Sequence, residues 1–209
     1  YQHVPFDPDT VGELLWNYLP NQLTTMLFRS FILELNARRL QGELTGETSQ
    51  KRFRSFIEQL RDPEFAESLL VDYPVLVRQV VEKLDRAVDT GLEFLEHLCS
   101  DYLELCEKFS PEENPGLLRA LSDDVGDSHQ GGRFVRIAEF ESGLRIVYKP
   151  RSLATDVHLQ QFLLWLNEHG ASPRFHITNV LDLGNHGWVE FIEQQACQDS
   201  SAVSRFYER

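Results

Sequence analysis

The chain is poor in methionine, cysteine and positive charge, and each shortage closes off a class of protein. Of 209 residues one is methionine, and it does not open the chain. Tyr1-Gln2-His3-Val4-Pro5 reads as neither a signal peptide nor a natural start, so the sequence is read as a piece of a longer polypeptide. Three cysteines, Cys99, Cys106 and Cys197, are an odd number without zinc-type pairing, which argues against a disulfide framework and a zinc knuckle. Cys99 and Cys106 are seven apart, share a helix face and read as buried apolar residues, which suits a reducing, cytoplasmic compartment. No apolar run is long enough to span a bilayer. Lysine and arginine number 20 against 33 acidic residues, for a net charge of −13. Such a chain is a poor general binder of nucleic acid or anionic membrane. There is no internal repeat and no low-complexity tract.

The acidity is uneven. Residues 1–125 carry a balance of −11 and residues 126–209 only −2. Solvated helix faces account for this most simply; attraction of a basic partner is the alternative. The first part reads as helices. Asp9 or Thr10 caps a short one that stops near Pro20, and a second covers 21–41 on the spacing of Leu23, Leu27, Phe28, Phe31, Ile32 and Leu35. Gly42 and Gly46 break it. Phe53, Phe56, Ile57 and Leu60 mark a third helix, and Asp62-Pro63 opens a fourth. Residues 75–109 carry the longest pattern, with steps of three and four from Val77 to Phe109 and a weak point at Gly91. A bundle helix fits this stripe better than a coiled-coil seam, because the other helices supply partners.

After a junction at Pro111, Pro115 and Gly116 the period changes. Arg133–Phe140 and Leu144–Lys149 read as two strands around a Gly143 turn, ended by Pro150. A helix over 155–169 follows, then strands near 174–182 and 187–193, then a last helix capped by Asp199 or Ser200. The expected fold class is α+β. A helical support region, 1–125, precedes a unit of strand pair, helix and two further strands, 126–209. That element order is the order of a kinase small lobe, an analogy that does not by itself establish function.

The chemistry gathers at 126–151. Gly126-Asp127-Ser128-His129-Gln130-Gly131-Gly132-Arg133 is a loop that feeds a strand pair whose second member ends Ile146-Val147-Tyr148-Lys149-Pro150-Arg151. Backbone amides on one side and a point charge on the other are how a nucleotide phosphate is commonly held. Gly131 and Gly132 permit close backbone approach, or simply make a loop. Lys149 projects from a rigid strand toward phosphate, or is a strand-end lysine. Arg133 reaches the same anion. Arg151 contacts phosphate or pairs with Asp156, and Asp156 either orients Lys149 or complements its helix dipole. His129 titrates in the range of a general base or acid, with Asp127 placed to orient its ring; a hydrogen-bonded loop is the plainer account. Glu190 to Gln194 are hinge-like. Trp165, Trp188 and Phe191 read as core, and His97 as structural. His158, His169, His176 and His186 form no ligand cluster by spacing, and no resident metal site is expected.

These motifs resemble a known family. The 126–133 loop, Val147-Tyr148-Lys149-Pro150-Arg151-Ser152-Leu153 with Asp156, Trp165-Leu166-Asn167 and Gly187-Trp188-Val189-Glu190-Phe191 are similar to the dehydratase domain of type II lanthipeptide synthetases, the LanM enzymes. The likeness is dense over 126–209 and diffuse before. It implies phosphorylation of serine and threonine in a precursor peptide with ATP and magnesium, followed by elimination of phosphate to give dehydroalanine or dehydrobutyrine. It implies a lipid-kinase-like fold with extra helices, and ring formation by a separate C-terminal zinc cyclase domain. It assigns Asp127 and His129 to the phosphorylation and elimination site, and Lys149 to the ATP phosphates. The family's catalytic aspartate and asparagine, metal-binding aspartate, and elimination arginine and threonine lie downstream of this sequence. The isolated chain is therefore expected to be inactive, with the larger lobe and the cyclase domain as its partners.

Two readings from other classes stand beside this one. The acidic helical part could be a binding or scaffolding module that holds a precursor leader peptide. The strand unit could belong to an unrelated small-molecule kinase.

Overall fold

The computed structural model describes residues 4–122, 133–194 and 196–207. The chain divides into two compact units: Tyr1–Tyr102 with Gly126–Phe134, and Leu103–Val125 with Val135–Arg209.

The first unit is helical. α1 spans Val11–Trp16, α2 Leu19–Gln41, α3 Ser49–Leu60 and α4 Pro63–Val71; α5, Pro74–Phe109, begins here and ends in the second unit. The break expected at Pro20 lies earlier, because α2 takes Pro20 into its first turn. A proline there removes an N–H that has no helical partner anyway. Gly42 ends α2 at φ 78°, and its N–H reaches Arg38 and Arg39 carbonyls. That left-handed geometry favours glycine. Thr48 caps α3 by accepting from Lys51 N, and Asp62 caps α4 by accepting from Glu64 N. Leu44, Phe56 and Leu69 form a core packed by Phe31, Leu35, Leu60, Phe65 and Tyr73. The Phe31 and Phe56 rings meet edge to face at 6.5 Å. Tyr73 donates its hydroxyl to Glu34 Oε1 at 2.7 Å, tying the α4–α5 corner to α2.

Gly91 does not weaken α5, which runs through it unbroken. A Cβ there would lie 3.4 Å from Trp16 Nε1 and 3.6 Å from Leu15 Cδ1. The glycine leaves room for Leu15 and Trp16 of α1 against α5, and Trp16 Nε1 donates to the Ala87 carbonyl at 3.3 Å. Cys99 and Cys106 are half-buried rather than fully buried, and burial pushes the Cys99 thiol up.

The second unit is an antiparallel sheet. β1 spans Leu118–Ser122, β2 Arg136–Phe140, β3 Arg145–Lys149, β4 Val180–Asp182 and β5 Gly187–Glu190, in the order β1-β2-β3-β5-β4. α6, Ala154–Glu168, joins β3 to β4, and α7, Ser200–Tyr207, follows β5 with Asp199 accepting from Ala202 N. The α+β class holds.

β1 is an addition to the expected strands. Its register shifts between Leu118 and Ala120, so Leu118 and Leu121, three apart, are both buried. A bulge of this kind hides the two-residue alternation that marks a strand. Because β1 pairs with β2, the 123–135 segment connects two neighbouring antiparallel strands. β4 is shorter than expected.

Residues directly opposite one another in a sheet share a face. One face carries Arg136, Ala138 and Phe140 of β2, Ile146 and Tyr148 of β3, and Trp188 of β5, all buried. The other carries the cross-sheet row Ile137–Val147–Val189–Val180, all half-buried. Next to it lies the row Lys149–Gly187–Asp182. On the far side Arg145 lies over the Phe191 ring at 3.7 Å.

Candidate functional site

Lys149 is the last residue of β3, on the half-buried face. The chain then turns through Pro150–Leu153 into α6, and Asp156 falls in the first turn of that helix. Lys149 Nζ donates to Asp156 Oδ1 at 3.1 Å, and Arg151 donates to Asp156 Oδ2 at 3.0 Å. One carboxylate thus orders two cations, so both accounts of Asp156 and Arg151 as an ion pair hold geometrically. Burial works against the charged carboxyl. The hydrogen bonds and charges of Arg151 and Lys149 outweigh it, and the Asp156 pKa lies below the usual carboxylate range.

The turn that delivers Asp156 is fastened from across the sheet. Asp182, at the end of β4, accepts from Leu153 N at 2.8 Å and from Gly184 N at 3.3 Å. Ser152 donates to the same oxygen at 3.5 Å. Leu153 is fully buried, and it crosses over Gly187. A Cβ at Gly187 would meet the Leu181 carbonyl oxygen and would lie 2.6 Å from Leu153 Cδ1. Sequence reasoning did not single out Asp182. Its signal was the Asp-Leu-Gly turn at 182–184, whose aspartate can bond backbone two residues on.

Arg133 is placed in the first unit. Its guanidinium forks onto Glu93 of α5, with Nε at 2.8 Å from Oε2 and the second nitrogen at 2.6 Å from Oε1. Glu93 read in sequence only as part of a solvated face. Asp127, His129, Gly131 and Gly132 lie outside the described residues, and so does any convergence of that segment with Lys149. Among the expected hinge residues, Glu190 closes β5 and accepts from Asn179 N at 3.0 Å. Trp188 is core as expected, whereas Trp165 is 51% exposed and stacks on His169 at 4.1 Å. Phe191 is half-buried. His186 is buried, with Nδ1 2.8 Å from Asn185 Oδ1.

A second feature belongs to the first unit alone. A groove of about 860 Å³ lies between α4 and the start of α5, lined by Ala66, Leu70, Val71, Val77 and Val81, with Glu67 at its rim. No helix among the described residues is long and apolar enough to cross a membrane.

The second unit is an α+β unit with a lysine–aspartate–arginine cluster at the start of its helix, and comparison with known proteins places the chain. Residues 73–209 match the family described as Domain of unknown function (DUF4135), and the chain belongs to that family. It is also 23% identical over 190 residues to the "Lacticin 481/lactococcin biosynthesis protein LcnDR2" of Lactococcus lactis subsp. lactis. That match covers 87% of this chain and 20% of the relative, so the chain spans about a fifth of the curated relative's length. The two matches support the resemblance to LanM-type synthetases that the motifs carry.

Proposed function

We propose that the second unit is the nucleotide-holding part of a lanthipeptide dehydratase. The observation that carries this reading is the position of Lys149. It stands in the row beside the half-buried apolar row Ile137–Val147–Val189–Val180, on the same face, and is paired to the first turn of the following helix. An apolar strip beside an ordered cation suits a nucleotide, with its base on the strip and its phosphates at the amine. Protein kinases use the same device, a strand lysine paired with a helix carboxylate. The strand order adds support, since the glycine-containing segment joins β1 to β2 just ahead of the lysine strand.

In this reading Lys149 and Arg151 hold ATP phosphates, with Asp156 fixing both side chains. Gly131 and Gly132 are the backbone contacts that this reading expects from the glycine-containing segment, while the Arg133 guanidinium is engaged by Glu93. Phosphoryl transfer to a serine or threonine hydroxyl asks mainly for positioning and charge neutralisation. Magnesium accompanies the nucleotide. His129, oriented by Asp127, removes the proton next to the carbonyl of the phosphorylated residue; the electron pair forms the alkene and phosphate leaves. The precursor peptide is the substrate.

The test is made in the full natural chain that carries this sequence. Lys149→Ala abolishes phosphorylation of the precursor. His129→Ala leaves phosphorylation intact and accumulates phosphopeptide, read by mass spectrometry. Normal dehydration by both variants overturns the assignment.

The groove between α4 and α5 favours a second reading, in which the helical unit binds a peptide without catalysis. Calorimetric titration of the precursor would then show binding that substitution of Val77 and Val81 by aspartate abolishes.

A further inference from the structure

We propose that Asp182 and Gly187 are positioning residues for the Lys149–Asp156–Arg151 cluster: together they fasten the β3–α6 turn across the sheet and so set where Asp156 meets the lysine. The proposal deepens the nucleotide reading and rests on it for its functional meaning.

The geometry is a row of three residues across three strands. Lys149 pairs with Gly187, and Gly187 pairs with Asp182. Side chains on this row share a face, so any side chain at 187 would stand between the lysine and the aspartate. The missing side chain opens a channel, and the turn passes through it. Leu153 fills the space over Gly187, close enough that a Cβ would collide with it and with the Leu181 carbonyl oxygen. On the far side the Asp182 carboxylate takes the Leu153 N–H at 2.8 Å. The same oxygen takes the Gly184 N–H, so β4, the β4–β5 turn and the entry to α6 share one acceptor.

Asp156 lies three residues beyond Leu153, within the first helical turn. Among the described residues, the partners of its carboxylate are Lys149 and Arg151 themselves. The helix start must therefore be located by something else, and Asp182 with Gly187 does this. Asp182 uses its oxygen as an acceptor of backbone N–H groups. An asparagine carbonyl can accept the same bonds, so its charge is dispensable to this role.

The test is competitive acetylation of the full natural chain with acetic anhydride, with modification of Lys149 read by mass spectrometry. Asp182→Ala and Gly187→Ala each loosen the Lys149–Asp156 pair, and acetylation of Lys149 rises roughly two- to five-fold, the equilibrium equivalent of a partly exposed ion pair. Asp182→Asn restores the native level. Asp182→Ser keeps a shorter acceptor and falls between, which serves if the alanine chain does not fold. Acetylation at the native level in both Asp182→Ala and Gly187→Ala overturns the proposal, and so does an equal rise in Asp182→Asn and Asp182→Ala. The readout needs no nucleotide. If Lys149→Ala still phosphorylates precursor while Asp182→Ala exposes the amine, the nucleotide reading fails and the positioning role stands.

Discussion

Asp156→Asn removes one charge and almost no volume, and its cost can be worked from the cluster. The native carboxylate receives Lys149 at 3.1 Å and Arg151 at 3.0 Å. Lys149 and Asp156 are each 23% exposed and Arg151 is 56% exposed. Hydrogen bonds to charged groups contribute about 1.5–3 kcal/mol when shielded, and exposed pairs roughly 0.2–1 kcal/mol. The lysine contact belongs near about 1.5 kcal/mol and the arginine contact near about 0.5 kcal/mol. Asparagine keeps one acceptor, worth about 0.5 kcal/mol. The expected loss is about 1.5 kcal/mol at neutral pH, a fall of roughly 0.7 M in the urea midpoint for a slope near 2 kcal/mol/M. Tryptophan fluorescence reports it, because Trp188 lies fully buried in the same sheet. The pH dependence has a definite sign. The folded pKa of Asp156 is depressed, so its contribution is present above the unfolded value of about 3.9 and is lost as pH falls through the lower folded value. The two proteins should differ fully at pH 6 and converge in strong acid. A gap that is absent at pH 6, or one that persists unchanged in strong acid, refutes the reasoning.

Tyr73 gives the opposite sign. The hydrogen bond to the Glu34 carboxylate, with burial, pushes its pKa from 10.0 up to about 12. Its contribution is present below pH 10 and is lost as pH rises toward 12, so Tyr73→Phe is less stable than the native chain by about 1 kcal/mol at pH 8, after discounting for solvent screening. Denaturation curves at pH 8 and pH 11.5 should show that gap close. In the helical core, Phe56→Ala should cost about 3 kcal/mol, since Phe56 is 2% exposed and packs on Phe31; circular dichroism melts measure it.

The helices were legible because their signals are local. Asp62, read from its place before Pro63, accepts the Glu64 N–H as a cap, Thr10 makes no side-chain cap bond at α1, and α5 starts one residue from where its pattern begins. The β2–β3 hairpin was legible from Gly143, which sits at φ 88°. Three features were not. β1 carries a bulge, so its buried leucines lack a strand's spacing. The strand expected over 174–182 is three times as long as the observed β4, Val180–Asp182, because residues 175, 178 and 179 give their N–H groups to the side chains of Asn167, Gln160 and Glu190. A β-rich composition there marks extended chain that is not laddered. α6 is apolar on several sides, so its period could not tell which face is exposed, and Trp165 came out half-exposed between Phe162 and His169. For the site, Lys149, Arg151 and Asp156 are separated by at most seven residues and could be connected by eye. Asp182 lies 29 residues from the backbone N–H it accepts, and nothing local announces that distance.

The stoichiometry at the start of α6 bears on what the cluster is for. Glu82 of α5 also meets two arginines, at 3.8 and 3.6 Å on an exposed face; Asp156 holds its two cations closer and is more shielded, and Asp182, the next acid in the row, turns its oxygen to backbone N–H groups instead. Two cations on one carboxylate leave a surplus of positive charge that Asp156 alone does not neutralise. Partial exposure lets solvent screen that surplus, and in the nucleotide reading proposed above the phosphates would take it up.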